Sequence, residues 1–544
     1  MSDSTPDAFV FPSVSGAGPY SINQSAVVTI SGINIPVAVS VANGAYAVGN
    51  DPFTTTAGTI VSGQQIRVRG RSSADASTTV IVNLTVGTLT VPFSITTVSD
   101  VTLPTAAILF PPPISLTEGL SVLVRGTASD DFKQIKSVQV NGVAATTSDG
   151  YANWQATVPL SASTDTDMVV VVQDKAGNVN ANAARVKIHQ GAHQPAFPAA
   201  LIFEWFDPSN IELDRYDGRN RLIVPASHIG VGASEAIFTV DLATGARNGI
   251  INPSGNSLTT GSVAINPGNK HLYVSVLEDA VSSGPSVMEF DLANLGTVLA
   301  THPWQWPDAY ADELSALVWC ARLNNFAGID LYSASTFLTP DFNSFSVLSF
   351  TGTYPFIVDG LGNEYFKTVN LPDATNPIIN YSTNSLVKFI GSMVFDDAHN
   401  RFLVSSLLFN NVRRPTLWAI DATTGARSVF SSDAIGGGVP FGSTTADTYM
   451  RGMVMDAAHT RVLVSFAGGG VGSIYAIDLN TGSRSVLTSS TWPDSLNQLY
   501  DPRGLILDGE QSYVYVVDNH YLAIFAIDLI TGERVIVSKA QTGD

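Results

Sequence analysis

Residues 500–538 read YDPRGLILDGEQSYVYVVDNHYLAIFAIDLITGERVIVS, four short apolar runs set apart by turn residues. The runs 505–507, 514–517, 524–527 and 535–537 are too short for helices and rich in Val, Ile and aromatics. Gly509, Asp518-Asn519 and Thr531-Gly532 punctuate them, which predicts a four-stranded antiparallel meander. A single sheet of this kind cannot bury both faces. It needs copies of itself to stack against.

The copies are present. The turn between first and second strands recurs at Asn266, Asp359, Asp396, Asp456 and Asp508, with Asp217 matching one residue short and Cys320 as a degenerate copy. The third strand and its turn recur as FTVDLATGAR (238–247), LWAIDATTGAR (417–427), IYAIDLNTGSR (474–484) and IFAIDLITGER (524–534). In each, Asp and Thr-Gly close a tight turn whose Gly supplies a positive φ. The Arg after it reads as a solvated strand residue. Repeats of roughly fifty residues with four strands each predict a β-propeller. Seven anchors imply seven blades; merging the compact stretch 315–389 gives six.

Upstream the runs are also short and alternating, as in Gln65-Ile66-Arg67-Val68-Arg69. The expected order is a leader (1–8), a β-sandwich (9–100), an immunoglobulin-like sandwich (101–190), a linker (191–198) and the propeller (199–544). In the second sandwich, Asn141-Gly142 reads as a type I′ hairpin turn and Trp154 as the core aromatic. With its GTASD (126–130), VNG (140–142) and DKAGN (174–178) segments, this stretch resembles bacterial immunoglobulin-like domains, which implies a spacer or stalk. The preceding domain and its SDSTPDAF leader resemble a module of bacterial surface lipoproteins. The last blade, with Asp501-Pro502-Arg503-Gly504, resembles NHL and lactonase-like propellers. That likeness implies a fold shared by binding proteins, lyases and hydrolases.

Bulk properties narrow the function. Of 544 residues, 13% are charged and the net charge is −19, which argues against nucleic acid and anionic membrane surfaces as partners. No apolar run reaches the roughly 18 residues of a membrane span. The lone Cys320 lies in an apolar run and reads as a buried residue. The chain opens MSDSTPD, polar and acidic, and its surface is rich in Ser, Thr, Asn and Gly. It therefore reads as the mature form of a secreted or cell-surface monomer lacking its export signal.

Ligands of a propeller gather where the loops from second to third strands meet the loops between blades. The inter-blade loops carry Trp304, Trp306, Trp492, Tyr449, Tyr500, Arg451 and Arg503; the others carry His228, Arg413 and His520. Arg451 and Arg503 head strands of adjacent blades as Arg-Gly, each shortly after a Tyr. Guanidinium forks recognise carboxylate or sulfate, and Tyr or Trp faces stack on sugar rings. The competing reading has both arginines bracing neighbouring blades through backbone carbonyls. His271, His399 and His459 recur in first turns on the opposite rim and read as solvated.

No HxH, HExxH or paired-cysteine spacing calls for a transition metal, and no cofactor is expected. Asp130, Asp131 and Asp174 read as turn caps, with a shared structural calcium as the alternative. The expected partner is therefore an acidic polysaccharide or other acidic extracellular ligand. One reading is β-elimination, with Arg451 or Arg503 neutralising a uronate and His520, His228, Tyr449 or Tyr500 as base. Seven-bladed polysaccharide lyases offer a fold-level likeness for it. The alternative is a non-catalytic binding or adhesion head, and a lactonase-like hydrolase is third.

Overall fold

The computed structural model describes residues 2–113, 115–191, 211–225, 235–251, 258–266, 270–279, 286–303, 356–358, 364–366, 378–379, 390–409, 413–421, 427–441, 449–468 and 471–539. Among them the chain is all β, with three short 3-10 turns and no α-helix. Among the described residues no helix is long and apolar enough to cross a membrane. Two compact units form. One comprises Met1–Ile108, Val124–Val158 and Met168–Arg185; the other comprises Leu109–Leu123, Pro159–Asp167 and Val186–Asp544.

In the first unit a five-stranded and a four-stranded sheet share one core. Alternation places Ile66 and Val68 in that core, against Val82, Leu84, Phe93 and Ile95. Arg67 and Arg69 point the other way, over the Phe53 ring. Further along, Asn141 and Gly142 both have positive φ, 48° and 81°, as the predicted type I′ turn requires. Trp154 is buried, and a Cβ at Gly126 would lie 2.4 Å from its ring, so the glycine of GTASD is what admits the indole.

Among the described residues the second unit holds four four-stranded antiparallel sheets whose strands follow chain order, and a fifth set of four consecutive antiparallel strands that ends a larger sheet. The last runs Pro502–Leu507, Tyr513–Asp518, Ala523–Asp528 and Arg534–Lys539. A three-stranded sheet of Phe356–Val358, Glu364–Phe366 and Ile378–Ile379 lies between the second and third. These are propeller blades. Cys320 and most of 315–389, on which the six-or-seven count turns, lie outside the described residues.

Among the described residues, three blades are tied to the next by a repeated ion pair. A buried Asp ends the first strand and an Arg opposite it heads the second: Asp396 with Arg401 (2.8 Å) and Asp456 with Arg461 (2.7 Å). The same arginines donate to Leu479 O and Leu529 O of the following blade. In the first blade this role belongs to Asp214, paired with Arg219 and Arg221, and Arg221 donates to Leu292 O. The turn alignment pointed to Asp217, which is exposed and pairs with Lys270. His399 and His459 are not merely solvated. Each is held by Nδ1 at 2.8 Å from the buried Asp of its blade, and His271 at 2.6 Å from Glu289.

The arginines after Thr-Gly are a second correction. Arg247, Arg484 and Arg534 are buried, not solvated. Arg534 donates to Asn497 O (2.7 Å), Ser489 O (2.7 Å), Thr488 Oγ1 and Asp494 O. Arg484 donates to Val439 O, Ser432 O, Ile435 O and Ser431 Oγ of the preceding blade. Arg247, in the first blade, reaches Ser538 Oγ and Leu522 O of the last, both at 2.8 Å, so first and last blades meet. Five donors in a planar fork satisfy carbonyls that curved inter-blade loops leave without strand partners.

The last blade also gains a strand. Ser115–Thr117 pairs antiparallel with Arg534–Lys539, Leu116 opposite Ile536, and parallel with 188–190. Leu116 is buried in the core of the last blade beside Phe525 and Ile536. Asn497 Nδ2 donates to Thr117 Oγ1 at 2.9 Å, and Lys539 pairs with Glu118 at 2.8 Å. A propeller indifferent to removal of residues 1–190 is not what this pairing supports.

Candidate functional site

Four residues of the sequence-derived set come together where the last blade begins its first strand and ends its second. The loop 490–501 enters this blade over Gly472 of the preceding one. A Cβ there would meet Pro502 Cδ at 2.6 Å and Tyr500 N at 2.9 Å, so glycine lets the loop lie flat. On the next turn, His520 follows the strand Tyr513–Asp518. The Tyr500 and His520 rings stack at 3.9 Å and 25°, and Tyr521 meets His520 edge-on at 4.8 Å. Tyr500 is 40% exposed, so the outer face of the stack is open to solvent.

Asp518 makes this pairing possible. Its carboxylate is fully buried. One oxygen accepts the backbone N–H of Tyr500 (2.7 Å) and Asp501 (3.0 Å); the other accepts those of His520 and Tyr521 (both 3.1 Å). One side chain thereby fixes the two loops that carry the aromatic stack. Burial pushes Asp518 up to about 6, working against those N–H bonds, and the nearby Asp501 adds to the rise.

Arg503 sits beside this pair, donating through Nε (3.0 Å) and Nη2 (2.6 Å) to Asp501 Oδ2. Arg451 occupies the matching position one blade earlier. A Cβ on Gly452 would fall 2.1 Å from Arg503 O, which explains the repeated Arg-Gly: the glycine lets the innermost strands touch. Burial first, and then the Arg503 charge, push Arg451 down to about 9, so it keeps its proton at neutral pH. Arginines that span blades through carbonyls include Arg221, Arg401, Arg461, Arg247, Arg484 and Arg534.

The other candidates separate into two groups. Trp492, 53% exposed, lies on the same loop as Tyr500 but makes no ring contact among the described residues. Tyr449 and Arg413 head the strands Tyr449–Asp456 and Arg413–Asp421, and nothing is described of their side chains. His228, Trp304 and Trp306 lie outside the described residues. Tyr521 escaped the sequence reading because it is a third residue of a turn already credited with His520. Asp501 was visible only as part of the Asp-Pro-Arg-Gly run.

For a cation, the described residues offer one carboxylate trio, and it is in the first unit. Asp100, Asp130 and Asp174 place ligand atoms within 4.8 Å of one another. Asp131 is turned away, accepting from Phe132 N and Thr102 Oγ1, so the expected trio changes one member. Asp174 does cap its turn, accepting Gly177 N and Asn178 N. Burial and the neighbouring carboxylates hold Asp130 above the usual range.

No family model matches the sequence, and no curated protein matches it. Among solved structures, a periplasmic gluconolactonase of Pseudomonas aeruginosa is 14% identical, with a TM-score of 0.34, covering 69% of this chain and 91% of its own. An oligogalacturonate lyase in complex with manganese is 13% identical at a TM-score of 0.33, covering 71% and 88%. A Lactobacillus plantarum protein is 14% identical at 0.34, covering 69% and 92%. At such scores these likenesses carry no argument about the site; the blades themselves make the chain a β-propeller.

Proposed function

We propose that this is an exported or cell-surface protein whose propeller binds an acidic polysaccharide on the face formed by Tyr500, His520, Arg503 and Arg451. The observation that carries the reading is the open Tyr500–His520 stack beside two arginines of adjacent blades. A sugar ring lies on the exposed aromatic face, and its carboxylate or sulfate meets the guanidinium pair. The upstream sandwiches then act as the stalk of an immunoglobulin-like surface module.

Arg503→Ala is expected to weaken an oligogalacturonate by about 1.5–3 kcal/mol, the worth of a hydrogen bond to a charged group, over and above the stability lost with the Asp501 ion pair. Calorimetric titration beside a thermal melt checks this. Parallel losses of binding and melting temperature would return Arg503 to a purely structural role.

A second reading is β-elimination, favoured by the exposed imidazole of His520 held against the Tyr500 ring. Here the arginines neutralise the uronate and His520 removes the carbon-bound proton. New unsaturated ends would absorb in the ultraviolet, and His520→Ala should lower their rate at least about a hundredfold. Unchanged turnover in that variant removes His520 from the mechanism. No turnover on any uronate polymer leaves the binding head.

A further inference from the structure

We propose that the four-stranded sheet of the first unit carries a separate anion-binding site: Arg67, Arg69 and Arg71 form a stripe that binds a linear polysaccharide bearing carboxylate or sulfate groups. The stripe shares no residue with the propeller face, so the proposal goes beyond that reading and does not depend on it.

The argument starts from where the charge lies. Residues 1–100 contain no lysine, and their only arginines are Arg67, Arg69 and Arg71. All three belong to the strand Gln65–Arg71 at alternate positions, so the pleat puts them on one face. The other face sends Ile66 and Val68 into the core. The three side chains therefore leave the strand at intervals of roughly 7 Å. Ala47 and Ala45 stand opposite Arg67 and Arg69 on one side, Gln24 and Ile22 opposite Arg69 and Arg71 on the other. None of the four paired strands carries a carboxylate.

No internal acid neutralises the stripe. Among the described residues the three arginines have no ion pair and no side-chain hydrogen bond, and Arg67 Nε is buried without an acceptor. What two of them have is an aromatic rest: Arg69 Cζ lies 4.4 Å and Arg67 Cζ 5.3 Å from the centre of the Phe53 ring. Stacking occupies the flat side of a guanidinium and leaves its N–H edge for an acceptor. Two forks are thus held in place before a ligand arrives, which lowers the cost of ordering them.

Charge selects the occupant. Guanidinium edges pair with carboxylate or sulfate, and only a row of such groups engages all three arginines at once. A linear anionic glycan supplies that row, and it can follow a stripe one strand wide. A flat anionic bilayer would instead confront the rest of a chain whose net charge is −19.

The test uses the full chain with sulfated dextran oligomers and with oligogalacturonate, at about 0.15 M salt to screen loose attraction. Phenylglyoxal modification of arginine, read by mass spectrometry, needs no variant. Either polymer should slow modification of Arg69 and Arg71 severalfold, and uncharged dextran should not. In calorimetry, replacing all three arginines by glutamine should remove one bound oligomer per chain, whether or not the propeller binds another. Arg69→Gln alone should weaken this site roughly two- to fivefold, the worth of an exposed charge pair. A stripe protected in a protein whose propeller binds nothing sustains this proposal and sinks the propeller reading. Modification at the same rate with and without both polymers, or unchanged stoichiometry in the triple variant, overturns the site. Protection by vesicles of anionic lipid and by neither glycan overturns it as well, and assigns the stripe to a membrane surface.

Discussion

Deleting residues 1–190 is expected to destabilise the propeller by about 3–5 kcal/mol and to make it prone to aggregate. The reason is the Ser115–Thr117 strand. Leu116 is buried between Ile536 and the rest of the last core, and losing such a side chain alone costs roughly 2–3 kcal/mol. Asn497 would lose Thr117, and Lys539 would lose Glu118. The strand Arg534–Lys539 would then stand as an uncovered edge, a template for pairing with another chain. Chemical denaturation and light scattering of the 191–544 fragment check this. A fragment as stable and monodisperse as the full chain would show that the strand is dispensable. Leu116→Ala, at about 2–4 kcal/mol, isolates the packing from the deletion.

Arg534→Ala should be the most damaging single substitution in the last blade, costing about 3–5 kcal/mol. Its guanidinium is buried and serves Asn497 O, Ser489 O, Thr488 Oγ1 and Asp494 O together. Each acceptor left without a donor costs roughly 1–3 kcal/mol, and part of that returns as water enters the cavity. Arg534→Lys should recover little, since an ammonium cannot span the fork. The same loop carries Trp492 and Tyr500, so the variant should lose ligand affinity together with its stability, whereas Arg503→Ala should lose mainly affinity. Denaturant midpoints for the three variants decide the matter. An Arg534→Lys protein as stable as wild type would mean that charge, and not the geometry of the fork, is what the loop needs.

Much of the architecture was legible because it repeats. Val, Ile and aromatic runs between Asp, Asn and Gly turns require strands, and four strands per repeat leave few folds other than a propeller. What was not legible depends on contacts between repeats. An Arg after a turn Gly looks solvated in sequence; only the neighbouring loop's unpaired carbonyls reveal why Arg484 and Arg534 are inside. Asp217 stood at the aligned turn, yet Asp214 holds the inter-blade pair, because the first blade's turn is longer than the others by two residues. The Ser115–Thr117 pairing joins residues some four hundred apart in sequence and leaves no local signal. Of the residues that the structure brings together at the last blade, Tyr500, Arg503 and His520 stood out in the sequence by loop position alone. Asp518 was read as turn punctuation, although its carboxylate, accepting backbone N–H groups from both loops, is what holds them together.

The most direct measurement compares the affinity of the full chain for oligogalacturonate with that for its fully methyl-esterified counterpart, which keeps the sugar rings and removes the charge. The account predicts that the acid form binds at least about tenfold more tightly, one charge-assisted contact's worth, with the difference shrinking in high salt. Equal affinity for the two forms, or binding of neither, would contradict it.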